Sequence, residues 1–564
     1  MQFIIKTLPV CFILFLPIIA ISQSTYLPEG HKHQQLLDRL DIKLQRNADL
    51  NVLTPKPISR KIAVRIAEEA DSMGLADPGL LTDVDVYNIH NLRMNNSEWA
   101  TGDKSSFQSK KPLFNTFYTT KANFLEVDAP DFFLALNPMF QPRISFEQDY
   151  DGDMIFLNSK GLNFRGLIAG KVGFSGYISE NQERGPSFVM ERIYREHQAV
   201  PGVGYFKRFK NTAVDYFDGR GSIDFTAAKY IDIQFGYDKN FIGNGYRSLF
   251  LSDFGNSYLF LKLNTRIWKL NYQNLFMELT PQYVRGSDRL LDKKYASIRH
   301  LSVNATKWLN LGLFEAVVFG RKNNFDFTYL NPIMFLRIAE QQNGSPDNAL
   351  MGANFKANVA GKFQFYGQWL LDEFKLNEVR GGKGWWANKF GYQFGAKYVD
   401  AFTIKNLDLQ GELNIVRPFT YSFRDSVADY SHYNQPLAHP LGSNFREIIG
   451  IVHYQPVPKL RATGRIILWE QGEDPAGENY GSNIFKLYDT RSGGDYGYTI
   501  PSGIPAKGVN AQLHLSYELK ENFFIDGVVL FRKYRVENMP NLDRDATVAS
   551  IGLRWNMAFR EYNF

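Results

Sequence analysis

The chain has 564 residues, 44% hydrophobic and 15% aromatic, with mean hydropathy −0.30 and a formal net charge of +6. Beyond its first residues no apolar run reaches the roughly 20 residues of a spanning helix, which excludes a helical membrane protein. The charge is spread thinly, with no basic run of the nucleic-acid type. The single cysteine, Cys11, leaves no disulfide and no cysteine metal site in the rest of the chain.

Residues 1–22 read as a secretory signal peptide. Lys6 supplies the charge, residues 8–21 the apolar core, and Ala20-Ile21-Ser22 the small residues before cleavage at Gln23. Loss of Lys6 leaves a net charge of 6 − 1 = +5. Cys11 lies too early in this core for a lipoprotein signal. Residues 23–130 then read as a small α-helical region on the periplasmic side, acting as a plug or cap. Helices are expected over 33–46, 59–73 and 79–99. In the second, Ser59 is the N-cap, Ile62, Ala63, Ile66, Ala67 and Ala70 share one side, and Gly74 follows the end. Pro55 and Pro57 separate the first two helices.

From 131 to 564 the pattern is that of a transmembrane β-barrel. Residues 132–148 and 154–169 form a hairpin closed by Asp149-Tyr150-Asp151-Gly152-Asp153, and 172–179 follow. This acidic turn is no EF-hand, having Met154 sixth and Lys160 twelfth. Further strands begin near Gly221, Ile231, Ser257, Arg266, Tyr295, Leu309, Asn348, Phe363, Ala387, Lys405, Phe445, Leu460, Val509, Asn522 and Ala546. In 509–519, Val509, Ala511, Leu513, Leu515, Tyr517 and Leu519 alternate with Asn510, Gln512, His514, Ser516 and Glu518. Such a strand has one apolar and one polar face. The total is about eighteen antiparallel strands, an even number as bacterial barrels require.

Short turns, such as Thr265 and Ala360-Gly361, alternate with long connections at 180–220, 241–256, 279–294, 321–347, 374–386, 417–444 and 471–508. Short turns face the periplasm and long loops the outside, which places the helical region and the C-terminus in the periplasm. The last strand carries Ile551, Leu553, Trp555, Met557 and Phe559 on one face, with Phe559 or Phe564 as the signal for the barrel assembly machinery.

Several stretches resemble the Wzi-type outer-membrane capsule-assembly family, in particular its Bacteroidetes branch with the gliding-motility RemB proteins. They are IDIQFGYDKNFIGNGYRSLFLSDFG at 231–255, ENQERGPSF at 180–188, YLNPIMFLRIAEQQNGSPDNALMG at 329–352 and GWWANKFGYQFGAKY at 384–398. The resemblance implies an eighteen-stranded barrel, a periplasmic helical bundle, a lumen largely blocked by a loop and that bundle, and binding of capsular or other extracellular polysaccharide.

Polysaccharide binding calls for aromatic faces against sugar rings and cations against uronate carboxylates. The long loops offer Trp385, Arg417, Tyr421, Arg424, Tyr430, Tyr433, Tyr480 and Tyr496, and these are the candidate ligand-binding residues. The competing reading is that loop aromatics pack the loops. Of Trp385-Trp386, one indole is expected in the aromatic belt and its neighbour at the barrel mouth. Tyr205-Phe206-Lys207-Arg208-Phe209-Lys210 is a second basic and aromatic stretch. No Gly-x-Ser-x-Gly, cysteine nucleophile or His-Glu-x-x-His is present, so neither catalysis nor a cofactor or metal is expected. Asp232, Asp238, Asp408, Glu412 and Glu518 read as lumen carboxylates with Arg or Lys partners. The expected function is a non-enzymatic, monomeric outer-membrane barrel in contact with lipid that binds or organises surface polysaccharide. A porin or gated glycan channel is the alternative, and a hydrolase a third reading.

Overall fold

The computed structural model describes residues 24–45, 51–283 and 290–564. The expected signal peptide and Cys11, and Arg46 at the end of the first expected helix, lie outside the described residues. Eighteen antiparallel strands close a barrel. They are β1 (Phe132–Glu147), β2 (Ile155–Ile168), β3 (Val172–Arg184), β4 (Ala213–Ala228), β5 (Ile231–Asp238) and β6 (Tyr258–Ile267). Next come β7 (Leu270–Leu279), β8 (Lys294–Asn304), β9 (Leu309–Phe319), β10 (Asn348–Val359), β11 (Phe363–Glu373) and β12 (Lys389–Tyr398). The last are β13 (Leu407–Val416), β14 (Phe445–Val457), β15 (Leu460–Glu473), β16 (Ile504–Lys520), β17 (Phe523–Val536) and β18 (Arg544–Trp555). Closure joins β18 to the upper half of β1, from Val548 opposite Glu147 to Trp555 opposite Phe140. The first residues of β1 pair instead with Leu125–Ala129.

The two faces of each strand follow the alternation. Phe146, Ile448 and Ile551 stand outward, 71%, 56% and 62% exposed, as expected of a wall facing lipid. Gln234, Lys262, Gln393 and Glu412 point inward and are buried. Among the described residues no helix is long and apolar enough to cross a membrane.

Several expected boundaries move. β3 runs on to Arg184 and β4 starts at Ala213, so part of the expected 180–220 loop is strand; β16 likewise starts at Ile504. Towards the long-loop end a strand leaves the wall that has one apolar and one polar face, and the alternation that marks it fades. The turn placed at Thr265 lies at Trp268-Lys269, because Thr265 stays in register with Tyr272. Trp385 and Trp386 precede β12, so strand alternation does not separate them.

At the short-turn end sit α1 (Gln34–Leu44), α2 (Arg60–Ala76) and α3 (Asp83–Met94), around a core of Leu37, Leu40, Ile66, Ala67, Ile89 and Leu92. Ser59 occupies the N-cap position of α2 without a capping side-chain hydrogen bond. The helix passes through Gly74 and ends at Ala76 rather than at Met73. In α3 the Thr82 hydroxyl accepts from the Asp85 amide at 3.1 Å and the Asp85 carboxylate accepts from the Thr82 amide, a capping box that sets its start. Asp85 also takes Arg39 at 2.8 Å and Lys43 at 2.7 Å, and Arg39 reaches Asp400 and Asp408 in the barrel. Burial by itself raises the Asp85 carboxyl, but Arg39 and Lys43 outweigh it and hold the group below its ordinary range.

The lumen is filled from the other end. Residues 241–256, expected as an outer loop, dive into the barrel. Phe241–Ile242 pairs with Pro55–Lys56, and the Tyr246 and Arg247 amides donate to Glu412 at 2.7 and 3.0 Å. A Cβ on Gly245 would lie 2.4 Å from the Glu412 carboxylate and 2.9 Å from Arg247 O, so a larger residue would push the segment off Glu412. Residues 417–444 follow it inward. The Tyr421 and Tyr430 hydroxyls donate to the Leu249 and Phe250 carbonyls at 2.8 and 2.7 Å.

The chain end differs from expectation too. β18 stops at Trp555, and the tail turns back up the lumen instead of staying at the short-turn end. Arg560 and Tyr562 bind Glu183, Glu561 binds Arg465, and Phe559 stacks on His514 at 4.1 Å. Phe559 and Phe564 are therefore interior, and Trp555 is the aromatic that closes the last strand. The connection 320–347 departs in the opposite sense, folding down the outside of β8 and β9.

Replacing Arg39 by Met leaves Asp85 and Asp408 without their shared cation. Breaking a buried pair in this way costs roughly 3–5 kcal/mol. Hydrogen exchange should rise throughout α1 and α3, while the barrel keeps its heat-modifiable migration on SDS gels.

Candidate functional site

Three of the long loops are woven together over the mouth. Arg417 donates to the Asn388, Trp385 and Tyr498 carbonyls at 2.7, 3.3 and 3.4 Å, so one guanidinium ties connections 374–388, 417–444 and 474–503. Burial alone pulls its pKa below the ordinary arginine value. The Trp386 amide donates to Asp495 O (3.0 Å), Gly497 to Lys383 O (2.9 Å) and Tyr498 to Gly384 O (3.0 Å), a short ladder between two loops. Phe419 N–H reaches Gly481 O at 2.9 Å, and a Cβ on Gly481 would fall 2.5 Å from that nitrogen.

This weave gathers an aromatic and cationic cluster. The Trp386 ring lies 5.1 Å from Tyr488, 5.9 Å from Phe419 and 6.4 Å from Trp385. The Arg491 guanidinium sits 4.4 Å over Trp386, held from the other side by Asp495, and Lys375 sits 5.4 Å over Trp385. Tyr498 continues the cluster 5.2 Å from Phe419, and Tyr480 lies 6.5 Å beyond it. Phe419 and Tyr498 are buried, whereas Trp385, Trp386, Tyr488, Tyr480 and Arg491 are partly exposed. Burial raises the Tyr488 and Tyr498 hydroxyls above their ordinary pKa, so both stay protonated donors at neutral pH. Flat aromatic faces beside guanidinium and ammonium groups suit a pyranose ring carrying hydroxyls or a carboxylate.

Of the expected residues, Trp385, Arg417 and Tyr480 belong to this cluster, and Tyr496 is exposed on the same loop as Tyr498. Arg417 serves it through backbone carbonyls. Arg424 is exposed near its edge, 5.5 Å over Phe423, with a bond to Ser345 O at 3.3 Å. Tyr421 and Tyr430 are fully buried, so their rings pin the inserted loop and present no face outward. Tyr433 lies apart, against Tyr283 at 4.7 Å. Arg491, Tyr488 and Tyr498 were not among the candidate residues, and Trp386 was expected only as a belt or mouth indole. The Gly-rich, Tyr-rich run Ser492-Gly493-Gly494-Asp495-Tyr496-Gly497-Tyr498 is the one local sign of a tightly folded loop there.

The other flagged groups have structural partners. Glu518 binds Lys32 at 2.6 Å, Asp232 binds Arg266 at 3.2 Å, Asp408 meets Arg39, and Asp238 lies 3.8 Å from Arg220. His439 faces Glu447 at 2.7 Å. Asp153 at the acidic turn pairs with Arg184 at 3.0 Å. Lys207–Phe209 of the second basic stretch forms a small hairpin with β4. Between the helices and the inserted segments lies a cavity of about 810 Å³, lined among others by His31, Arg165, Arg220, His453 and Phe559.

No family model and no curated protein sequence matches the chain. Among solved structures it is similar to Wzi, an outer-membrane protein involved in group 1 capsule assembly in Escherichia coli and described as a carbohydrate-binding β-barrel. The two are 14% identical with a TM-score of 0.56, over 95% of this chain and 100% of that one. OprD of Pseudomonas aeruginosa is 11% identical with a TM-score of 0.41, over 75% of this chain and 94% of that one. OccAB2 of Acinetobacter baumannii is 10% identical with a TM-score of 0.41, over 75% and 97%. At such identity the likeness to Wzi is one of fold.

His432 gives the inserted loop a pH dependence. Its Nδ1 accepts from Thr280 N–H and its Nε2 donates to Ser257 O, both at 3.0 Å, an arrangement that only the neutral ring satisfies. Burial lowers its pKa to about 4. The unfolded ring takes up a proton near pH 6.5, so the contribution is complete above that value and is lost as the pH falls towards 4. Exchange of amides 428–438, corrected for intrinsic rates, should accelerate over this window in the wild type. In His432→Gln, whose side chain both donates and accepts, the profile should be flatter.

Proposed function

We propose that the chain is a non-enzymatic outer-membrane barrel that binds or organises extracellular polysaccharide at the cell surface. The observation that carries this reading is the rim cluster of Trp385, Trp386, Tyr488 and Arg491, assembled from two loops that meet over the mouth. The fold likeness to Wzi, itself described as carbohydrate-binding, supports the same reading. In this proposal the long loops face outside, the three helices lie in the periplasm, and the ligand is an acidic capsular or related glycan. The Bacteroidetes RemB-like affiliation, with a role in capsule attachment or gliding-associated adhesion, belongs to the proposal as well. The non-enzymatic part rests on the ion pairs that occupy Asp232, Asp408 and Glu518.

A gated glycan channel is the second reading. The observation in its favour is the cavity of about 810 Å³ within the lumen. Opening it requires the segments at 241–256 and 417–444 to leave a lumen in which Glu412, Tyr421 and Tyr430 hold them.

A glycan array tests the first reading. Trp386→Ala and Arg491→Ala should each weaken binding at least about tenfold, near 1.4 kcal/mol, since aromatic and arginine anchors dominate such contacts. Tyr205→Ala, exposed on a separate loop, should bind as the wild type does. Equal binding by all three variants would remove the rim cluster from the proposal.

A further inference from the structure

Halfway down the outer wall, where a barrel meets the acyl chains of the bilayer, this protein carries polar side chains. Arg299 is the sixth of the eleven residues of β8. It stands opposite Asn274 of β7 on one side and Glu315 of β9 on the other. All three share the outward parity of Leu301 and Leu313, which are exposed. An arginine on the lipid face at the bilayer midplane is strongly unfavourable. Yet Arg299 is only 4% exposed, so something other than lipid covers it.

The cover is the connection between β9 and β10. Its backbone supplies acceptors to the wall. Arg299 donates to Asn331 O, Tyr272 hydroxyl to Pro332 O at 2.6 Å, and Ser297 hydroxyl to Tyr329 O at 3.1 Å. Glu315 accepts the Leu336 amide at 3.2 Å. Tyr329, Leu336 and Ala339 sink against Tyr295, Val317 and Phe319. On its far side the segment presents apolar groups, with Ile333 86% and Phe335 62% exposed and Phe327 beside them. Residues 327–335, Phe-Thr-Tyr-Leu-Asn-Pro-Ile-Met-Phe, include no charged side chain. Asn331 is its one side-chain amide, and charged groups return only beyond this stretch, at Arg337 and Glu340. A loop standing in water would show the reverse arrangement, apolar groups in and charges out.

We propose that residues 327–335 form a membrane-immersed strap, which roofs the Arg299–Glu315 site on the barrel wall and meets lipid acyl chains with Phe327, Ile333 and Phe335. The occupant of the apolar surface is lipid because that surface continues the exposed wall at Leu311, Leu313 and Met351 at the same level. The strap turns a polar patch at mid-bilayer depth into an apolar one. It gives Arg299 and Glu315 one backbone partner each and turns apolar side chains to the surrounding hydrocarbon.

The test uses the full barrel in lipid bilayers, with Cys11→Ser so that each introduced cysteine is unique. Nitroxide labels go on Ile333→Cys and Phe335→Cys, with Leu313→Cys as a bare-wall reference and Asn343→Cys as a water reference. All four positions are exposed, and folding is checked by heat-modifiable migration. The strap labels should match Leu313, with high collision rates for oxygen and low rates for a water-soluble nickel chelate. Rates like those of Asn343 would overturn the proposal by placing the segment in water. Protection from both reagents would also overturn it, by showing that a second protein copy covers the surface instead of lipid.

Discussion

A chain segment that leaves water for the inside of a barrel must find a partner for each N–H and C=O it carries. Here the requirement is met chiefly at Glu412, which rises from β13 and takes the amides of Tyr246 and Arg247. Tyr366 of β11, Gln393 of β12 and Asn414 of β13 itself complete the coordination of that carboxylate. Gln368 repeats the device two strands away, accepting from Leu249 N–H and donating to Ile242 O. The polar inner wall, which resembles the lining of an aqueous pore, is thus spent on solvating an inserted backbone.

The rest of the interior is arranged on that first insertion. Leu249 and Phe250 carbonyls, fixed inside the lumen, receive the hydroxyls of Tyr421 and Tyr430 and so draw a second loop down. The tail arrives from the opposite end and meets the first segment, with Arg247 donating to Asn563 O. With the middle of residues 417–444 committed below, their two ends stay at the mouth. There Arg417 and Phe419 knit them to the neighbouring loops and position the tryptophan and arginine side chains of the rim. The strap on the outside obeys the same rule in a different solvent. It supplies carbonyls to polar wall groups and turns its apolar side chains to the hydrocarbon.

The barrel was legible because alternation reports directly on a strand with lipid on one face and polar groups on the other. Segments such as 509–519 display it for their whole length. It failed where one of those surroundings changes. Residues 180–184 and 504–508, at the long-loop ends of their strands, are strand and look like loop. The depth of 241–256 and 417–444 was not legible, since a lumen lined with Glu412, Gln368 and Gln393 accepts the same polar and aromatic residues that water would. Tyr421 and Tyr430 therefore read as surface aromatics and are interior anchors. Half of the rim cluster was visible as Trp385, Arg417 and Tyr480. Arg491 was not, because its meaning comes from a ring 4.4 Å away that lies more than a hundred residues earlier in the chain. The stretch at 329–352 carried a family likeness, and its uncharged run at 327–335 gains a meaning only once the loop is seen against the outer wall.

The central claim is that the inserted segments close the lumen and leave function to the surface. Single-channel recording in planar lipid bilayers addresses it most directly. The barrel should insert without steady ohmic current, and Glu412→Ala combined with Tyr421→Phe and Tyr430→Phe should release stable conductance steps. Large, stable steps from the wild-type barrel under the same conditions would contradict the claim and favour an open channel.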